Sequence, residues 1–241
     1  MVLSAAQRSG AGATGEVEGT VYGGETSGAW ICGPTGTMRY GGMGVSAKVA
    51  QREASPEEGK GATGSVSVGA EGQAIRAIDL PDDRLPPDSL MVGAQARAGY
   101  RWRWVGVEGG AGVYEGYDDS DSTNSSILLY PSVEVTVGPG DSAYGVIGVG
   151  SPGATTLLRP GAYLGGGYLS KSGFGLDLRT GLFRQGPAAL DMIGYRLDLV
   201  GRGPIPGTEK MWLRIGGSVG AHEKSALPID FEGSLGLVVG Y

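Results

Sequence analysis

Taken two residues at a time, the chain resolves into short stretches in which apolar positions alternate with small or polar ones. Side chains of a strand point to opposite faces in turn, so a period of two predicts half-apolar β-strands. Residues 15–23 set Val17 and Val21 against Glu16, Glu18 and Thr20. Residues 37–52 set Met43, Val45, Ala47 and Val49 against Ser46, Lys48 and Arg52. Further strands are predicted at 62–78, 91–104, 105–117, 127–137, 142–150, 162–169, 174–183, 191–202, 211–219 and 228–241. The tally is about twelve strands with no helix. Turn chemistry separates them: Gly138-Pro139-Gly140-Asp141 and 203–208 read as short turns. Glu25, Trp30, Cys32 and Pro34 are assigned to a loop, and 80–89, with its prolines and aspartates, to a long exposed one.

Composition narrows the class. Glycine accounts for 48 of 241 residues, several times the usual share of about 7%. There is no collagen period, so glycine inside strand patterns reads as tight packing, bends and small inward side chains. Charged residues make up 18%, and a mean hydropathy of −0.05 with no long apolar run excludes a transmembrane helix. It leaves a membrane barrel open, because such strands hide their apolarity in alternation. A net charge of −6 argues against a nucleic-acid partner. The single cysteine, Cys32, allows no disulfide within the chain and no thiolate metal site.

The last strand carries the most specific pattern. Phe231, Gly233, Leu235, Leu237, Val239 and Tyr241 share one face; Glu232, Ser234, Gly236, Val238 and Gly240 share the other. Ser234, Gly236, Val239 and the terminal Tyr241 resemble the C-terminal assembly signal of bacterial outer-membrane β-barrels. The resemblance implies a single closed antiparallel transmembrane barrel over residues 15–241, with residues 1–14 a flexible lead-in. It also implies an outer-membrane location, both termini in the periplasm, and a precursor whose export signal is absent here. Lipid, lipopolysaccharide and the barrel assembly machinery follow as expected partners, with envelope proteins as further candidates.

Alternation alone does not say which face points inward. The polar faces carry charges of both signs in mid-strand: Lys48, Glu71, Arg97, Arg101, Glu134, Asp177, Arg179, Arg196, Asp198, Arg214 and Glu232. The apolar faces are rich in Ala, Val and Gly, which lipid covers without jigsaw packing. The charges are therefore expected to line the lumen. In residues 91–104, Tyr100, Trp102 and Trp104 end an apolar stripe, and with Tyr241 they are expected to sit at a membrane interface. With the C-terminus in the periplasm, the short turns fall on the periplasmic side and the longer loops outside, the usual asymmetry of such barrels.

No catalytic constellation emerges. His222, the one histidine, stands three residues from Ser225 in an expected loop, which does not hold a base against a nucleophile. Gly148-Val149-Gly150-Ser151-Pro152-Gly153 matches a dinucleotide fingerprint in letters, but Pro152 opens no helix. Asp118, Asp119 and Asp121, and Asp82, Asp83 and Asp88, lack the glycine and glutamate of a calcium loop and read as solvated loop acids. The expectation is a narrow pore or passive channel, not an enzyme, without cofactor or metal. The alternatives are a non-conducting structural barrel anchoring an envelope assembly, an enzyme using His222, and a soluble glycine-rich β-protein.

Overall fold

The computed structural model describes residues 12–29, 35–52, 60–77, 89–118, 126–139, 142–150, 161–170, 172–185, 192–222 and 230–240. Twelve strands run in chain order: β1 Gly12–Ala29, β2 Thr35–Arg52, β3 Gly61–Ala77, β4 Ser89–Arg101, β5 Val105–Asp118, β6 Ser126–Val137, β7 Ala143–Gly150, β8 Gly161–Leu169, β9 Gly175–Gln185, β10 Met192–Pro204, β11 Met211–His222 and β12 Asp230–Gly240. Each pairs antiparallel with its neighbours, and β1 closes on β12 with Val17 opposite Val239 and Tyr22 opposite Ser234. Closure satisfies every edge, the requirement for crossing a bilayer with strands. No helix occurs among the described residues.

Side-chain polarity is inverted relative to a water-soluble domain. Aliphatic side chains in mid-strand are exposed, among them Val68 at 50%, Ile147 at 59% and Ile215 at 59%. Buried positions hold glutamate, arginine, serine and tyrosine; Glu134 and Ser132 are at or below 1% exposure. A soluble protein exposes contiguous apolar patches of at most a few hundred Å². Here the exposed aliphatic positions recur on every strand, as a lipid-facing band requires.

Four short connections lie at one end of the barrel, with the start of β1 and the finish of β12. They follow β4, β6, β8 and β10. Gly173 and Gly207, at φ of 88° and 81°, take the left-handed backbone in two of them, which only glycine adopts without strain. We call this the turn end and the other the loop end; the links after β1, β3, β5, β7, β9 and β11 lie outside the described residues.

Several boundaries differ from the sequence expectation. β1 runs from Gly12, inside the expected lead-in, to Ala29, and takes in Glu25, which was expected in a loop. Its added residues lack apolar alternation, yet their backbone continues the ladder with β2 as far as Ala29 opposite Thr35. Periodicity marks only the apolar band, while hydrogen bonding extends the hairpin beyond it. His222, expected in a loop, ends β11 opposite Gly194, and Arg184, one residue past the strand expected at 174–183, lies in β9 opposite Ile193. β4 stops at Arg101, so Trp102 and Trp104 lie in the turn and not on the strand; the Trp102 N–H donates to the Val105 carbonyl at 2.7 Å.

Candidate functional site

Residues of one parity on each strand face inward, and that parity holds the charges. A bond between side chains two or more strands apart forms only on the concave side of a barrel, and the ion pairs do this repeatedly. Arg97 on β4 meets Glu134 on β6 at 3.3 Å, and Arg179 on β9 approaches the same carboxylate at 3.9 Å. Arg196 on β10 meets Glu232 on β12 at 2.6 Å as well as its own-strand neighbour Asp198. Arg214 on β11 reaches Glu18 on β1 at 2.6 Å, and Arg202 on β10 reaches Glu16 on β1 at 3.3 Å. Arg179 also binds Asp177 at 2.7 Å. Arg101 donates to the Gly138 carbonyl at 2.6 Å at the turn end. Lys48 stands opposite Glu16 and Ser67 in the ladder.

The charges named from the sequence thus all fall on the inward parity, buried or half-buried. Most come from the turn-end halves of their strands; Glu71, Arg196 and Glu232 belong to the loop-end halves, with Asp198 midway. Glu16, Glu18, Glu108 and Arg202 join them among the described side chains and were not singled out from the sequence, although they share the parity of those that were.

Four tyrosines were also missed. Tyr163 on β8 lies over Gly148 on β7, directly opposite it, and donates to Glu134 on β6 at 2.6 Å. Glu134 is itself opposite Gly148, so tyrosine, glycine and acid occupy one row across three strands. Tyr40, Gly24 and Glu232 form a second row with a hydroxyl–carboxylate distance of 3.0 Å. Tyr144, Gly167 and Asp177 form a third. Tyr22 crosses Gly42 and donates to Glu71, one step off the row. Each ring must lie flat on the wall to reach its acid, and only glycine leaves room. A β-carbon at Gly148 would meet the Tyr163 ring at 2.6 Å, and one at Gly24 would meet the Tyr40 hydroxyl at 2.6 Å. The glycine content is thereby tied to the placement of the acids.

The two walls of the loop-end half differ. From β4 to β9 it presents Met91, Tyr114, Leu128, Tyr130 and Phe183. The opposing strands present Glu71, Gln73, Arg196 and Glu232 with Tyr22 and Tyr40. Beside the charged wall, Tyr22, Arg196, Ser218, Glu232 and Ser234 border a cavity of about 20 Å³, room for one water.

Outside, Tyr100 and Trp102 stack edge to face at 5.0 Å, and Arg103 lies 5.8 Å over the Trp104 ring. All three aromatic residues are exposed at the turn end. In β12, Ser234 and Gly236 face inward and Val239 outward. Tyr241, expected both at the interface and in the assembly signal, lies outside the described residues, as do Trp30, Cys32 and most of the loop aspartates. No group of three or more metal-ligating side chains occurs among the described residues.

No protein-family model and no curated protein matches the chain. Solved structures do. An outer membrane channel from Pseudomonas putida F1 superimposes with a TM-score of 0.55 at 14% identity, covering 94% of this chain and 96% of that one. The beta domain of the Bordetella autotransporter BrkA gives a TM-score of 0.48 at 11% identity over 94% of this chain and 98% of that one. These structural neighbours are bacterial outer-membrane proteins, and the closed antiparallel barrel is the fold that this chain shares with the Pseudomonas channel.

Proposed function

We propose that the chain is an integral outer-membrane β-barrel acting as a narrow passive pore. The carrying observation is the inversion of polarity: ion-paired charges inside, exposed aliphatic side chains outside. Likeness to an outer-membrane channel supports a channel role at the level of the fold. The inward charges line the path and set what passes, and their pairs, between strands two or three apart, lie along its wall. Both termini and the short turns face the periplasm. Lipid and lipopolysaccharide cover the outer face, Tyr100, Trp102, Trp104 and Tyr241 anchor the interface, and the assembly machinery reads Ser234, Gly236, Val239 and Tyr241. On this reading the chain is not an enzyme, and His222→Ala leaves conductance unchanged.

Planar-bilayer recording tests the pore. The folded barrel, verified by heat-modifiable migration on a gel, is expected to give discrete, small current steps. A folded barrel that never passes current removes the pore and leaves the structural alternative.

A further inference from the structure

We infer that the β4–β5 turn is a binding site for an anionic phospholipid, with its phosphodiester on Arg103 and one acyl chain along the outer wall beside the turn. The inference rests on the proposed reading that lipid covers the outer face.

Arg103 differs from the other arginines whose side chains are described. Arg39, Arg97, Arg179, Arg196, Arg202 and Arg214 each meet an acid, and Arg101 donates to the Gly138 carbonyl. Arg103 is exposed, and no ion pair or hydrogen bond engages it among the described residues. Its guanidinium lies 5.8 Å over the Trp104 ring. The turn that presents it is tied on both sides. The Trp102 N–H donates to the Val105 carbonyl, and the Trp104 carbonyl accepts the Gly138 N–H at 2.8 Å. Trp102 and Trp104 flank Arg103, both exposed, with Tyr100 edge to face on Trp102.

From the turn toward mid-barrel the outer wall is low. Ala98 stands opposite Gly64 on β3 and Gly109 on β5, and Ala96 stands opposite Val66 and Ala111. Larger side chains bound this patch: Tyr100 and Val107 toward the turn, Val68 and Val113 toward the loop end. The small residues leave a shallow lane beside the aromatic side chains.

A phosphodiester carries negative charge and paired acceptor oxygens, which the fork of a guanidinium matches. Indole rings favour the boundary where headgroups meet hydrocarbon. They make the occupant a lipid and not a free anion, because a soluble phosphate gains nothing from the rings or the lane. A lipid of net negative charge balances Arg103. A zwitterionic headgroup brings its own cation, which competes with Arg103 for the phosphate.

The test is tryptophan quenching by brominated lipids. The barrel, in a Trp30→Phe background, is folded into dioleoylphosphatidylcholine vesicles. Brominated phosphatidylglycerol or brominated phosphatidylcholine then replaces a rising fraction of the lipid, and Trp102 and Trp104 report chains lying against them. Phosphatidylglycerol is expected to associate about fivefold more strongly than phosphatidylcholine, the scale of one cationic side chain at a membrane surface. Arg103→Gln is expected to abolish the preference. Ala98→Phe, which fills the lane, is expected to weaken phosphatidylglycerol association at least about twofold. Arg39→Gln removes the same charge at the loop end and is expected to keep the parental preference. Equal association of the two lipids with the parent, an unchanged preference in Arg103→Gln, or an equal loss in Arg39→Gln overturns the inference. Parental association in Ala98→Phe overturns the lane. Should Arg103→Gln fail the gel test of folding, the parent's preference and Ala98→Phe decide. Quenching by neither lipid removes the lipid-covered outer face and the site with it. Quenching needs no current. A barrel that prefers phosphatidylglycerol but never conducts refutes the pore and keeps the site; one that conducts without a lipid preference refutes the site alone.

Discussion

Glu134 shows what a single inward residue carries. Its carboxylate takes the Tyr163 hydroxyl and lies between Arg97 and Arg179, all at or below 8% side-chain exposure. A buried ion pair gives little net stability, because desolvation offsets attraction, but removing one partner strands the other. Glu134→Ala leaves Arg97 without this acid and Tyr163 without its acceptor. The expected loss is about 3–5 kcal/mol, read as a lower urea midpoint of the folded barrel in micelles. Tyr163→Phe deletes only a charge-assisted hydrogen bond and is expected to cost about 1.5–3 kcal/mol in the same assay. Equal losses would mean that the tyrosine, not the arginines, dominates the acid's contribution.

At the scale of strands, glycine positions separate into two kinds. Gly148 lies under the Tyr163 ring, whereas a β-carbon at Gly233 on the outer side of β12 would meet nothing within 4 Å. Gly148→Ala is expected to cost about 1–3 kcal/mol by pushing the ring off the wall. Gly233→Ala is expected to stay within about 0.5 kcal/mol, with urea midpoints of the two variants checking the contrast. This distinction was not legible in the sequence, because it depends on register: Tyr163 and Gly148 become neighbours only through the β7–β8 ladder. The strands were legible, since each side of the wall meets a different solvent and the letters alternate accordingly, as in Val66 and Val68 against Ser65 and Ser67. Where the strand leaves the apolar band, at Thr26, Ser27 and Gly28, the letters look like a loop although the backbone stays paired with β2. Trp102 and Trp104 fail differently: they keep the alternation of β4 but fall in the turn that reverses the chain, so period alone assigns them to the strand. Parity grouped the charges on one face of each strand without saying which way that face points, while their partners, such as Arg214 with Glu18, awaited closure of β1 on β12.

The whole molecule turns on which solvent covers the outer aliphatic band. Ile215 lies in β11 on the outward parity, between inward Arg214 and Gly216, and is 59% exposed. Were water its solvent, Ile215→Arg would place a charge on an already wet surface, and the change would stay within about 0.5 kcal/mol. With lipid there, the same arginine must enter hydrocarbon, at about 2–4 kcal/mol near the bilayer midplane and less toward either interface. Depth therefore supplies an internal control. Tyr195, 66% exposed on β10, lies on the same outer face but nearer the loop end, and Tyr195→Arg is expected to cost less than Ile215→Arg. The measurement is the folding free energy of each variant into lipid vesicles by urea titration. A graded penalty, larger at Ile215 than at Tyr195, is the signature of a membrane around the barrel. Equal, near-zero effects at both sites would place the band in water and remove the physical basis for reading the interior as a pore.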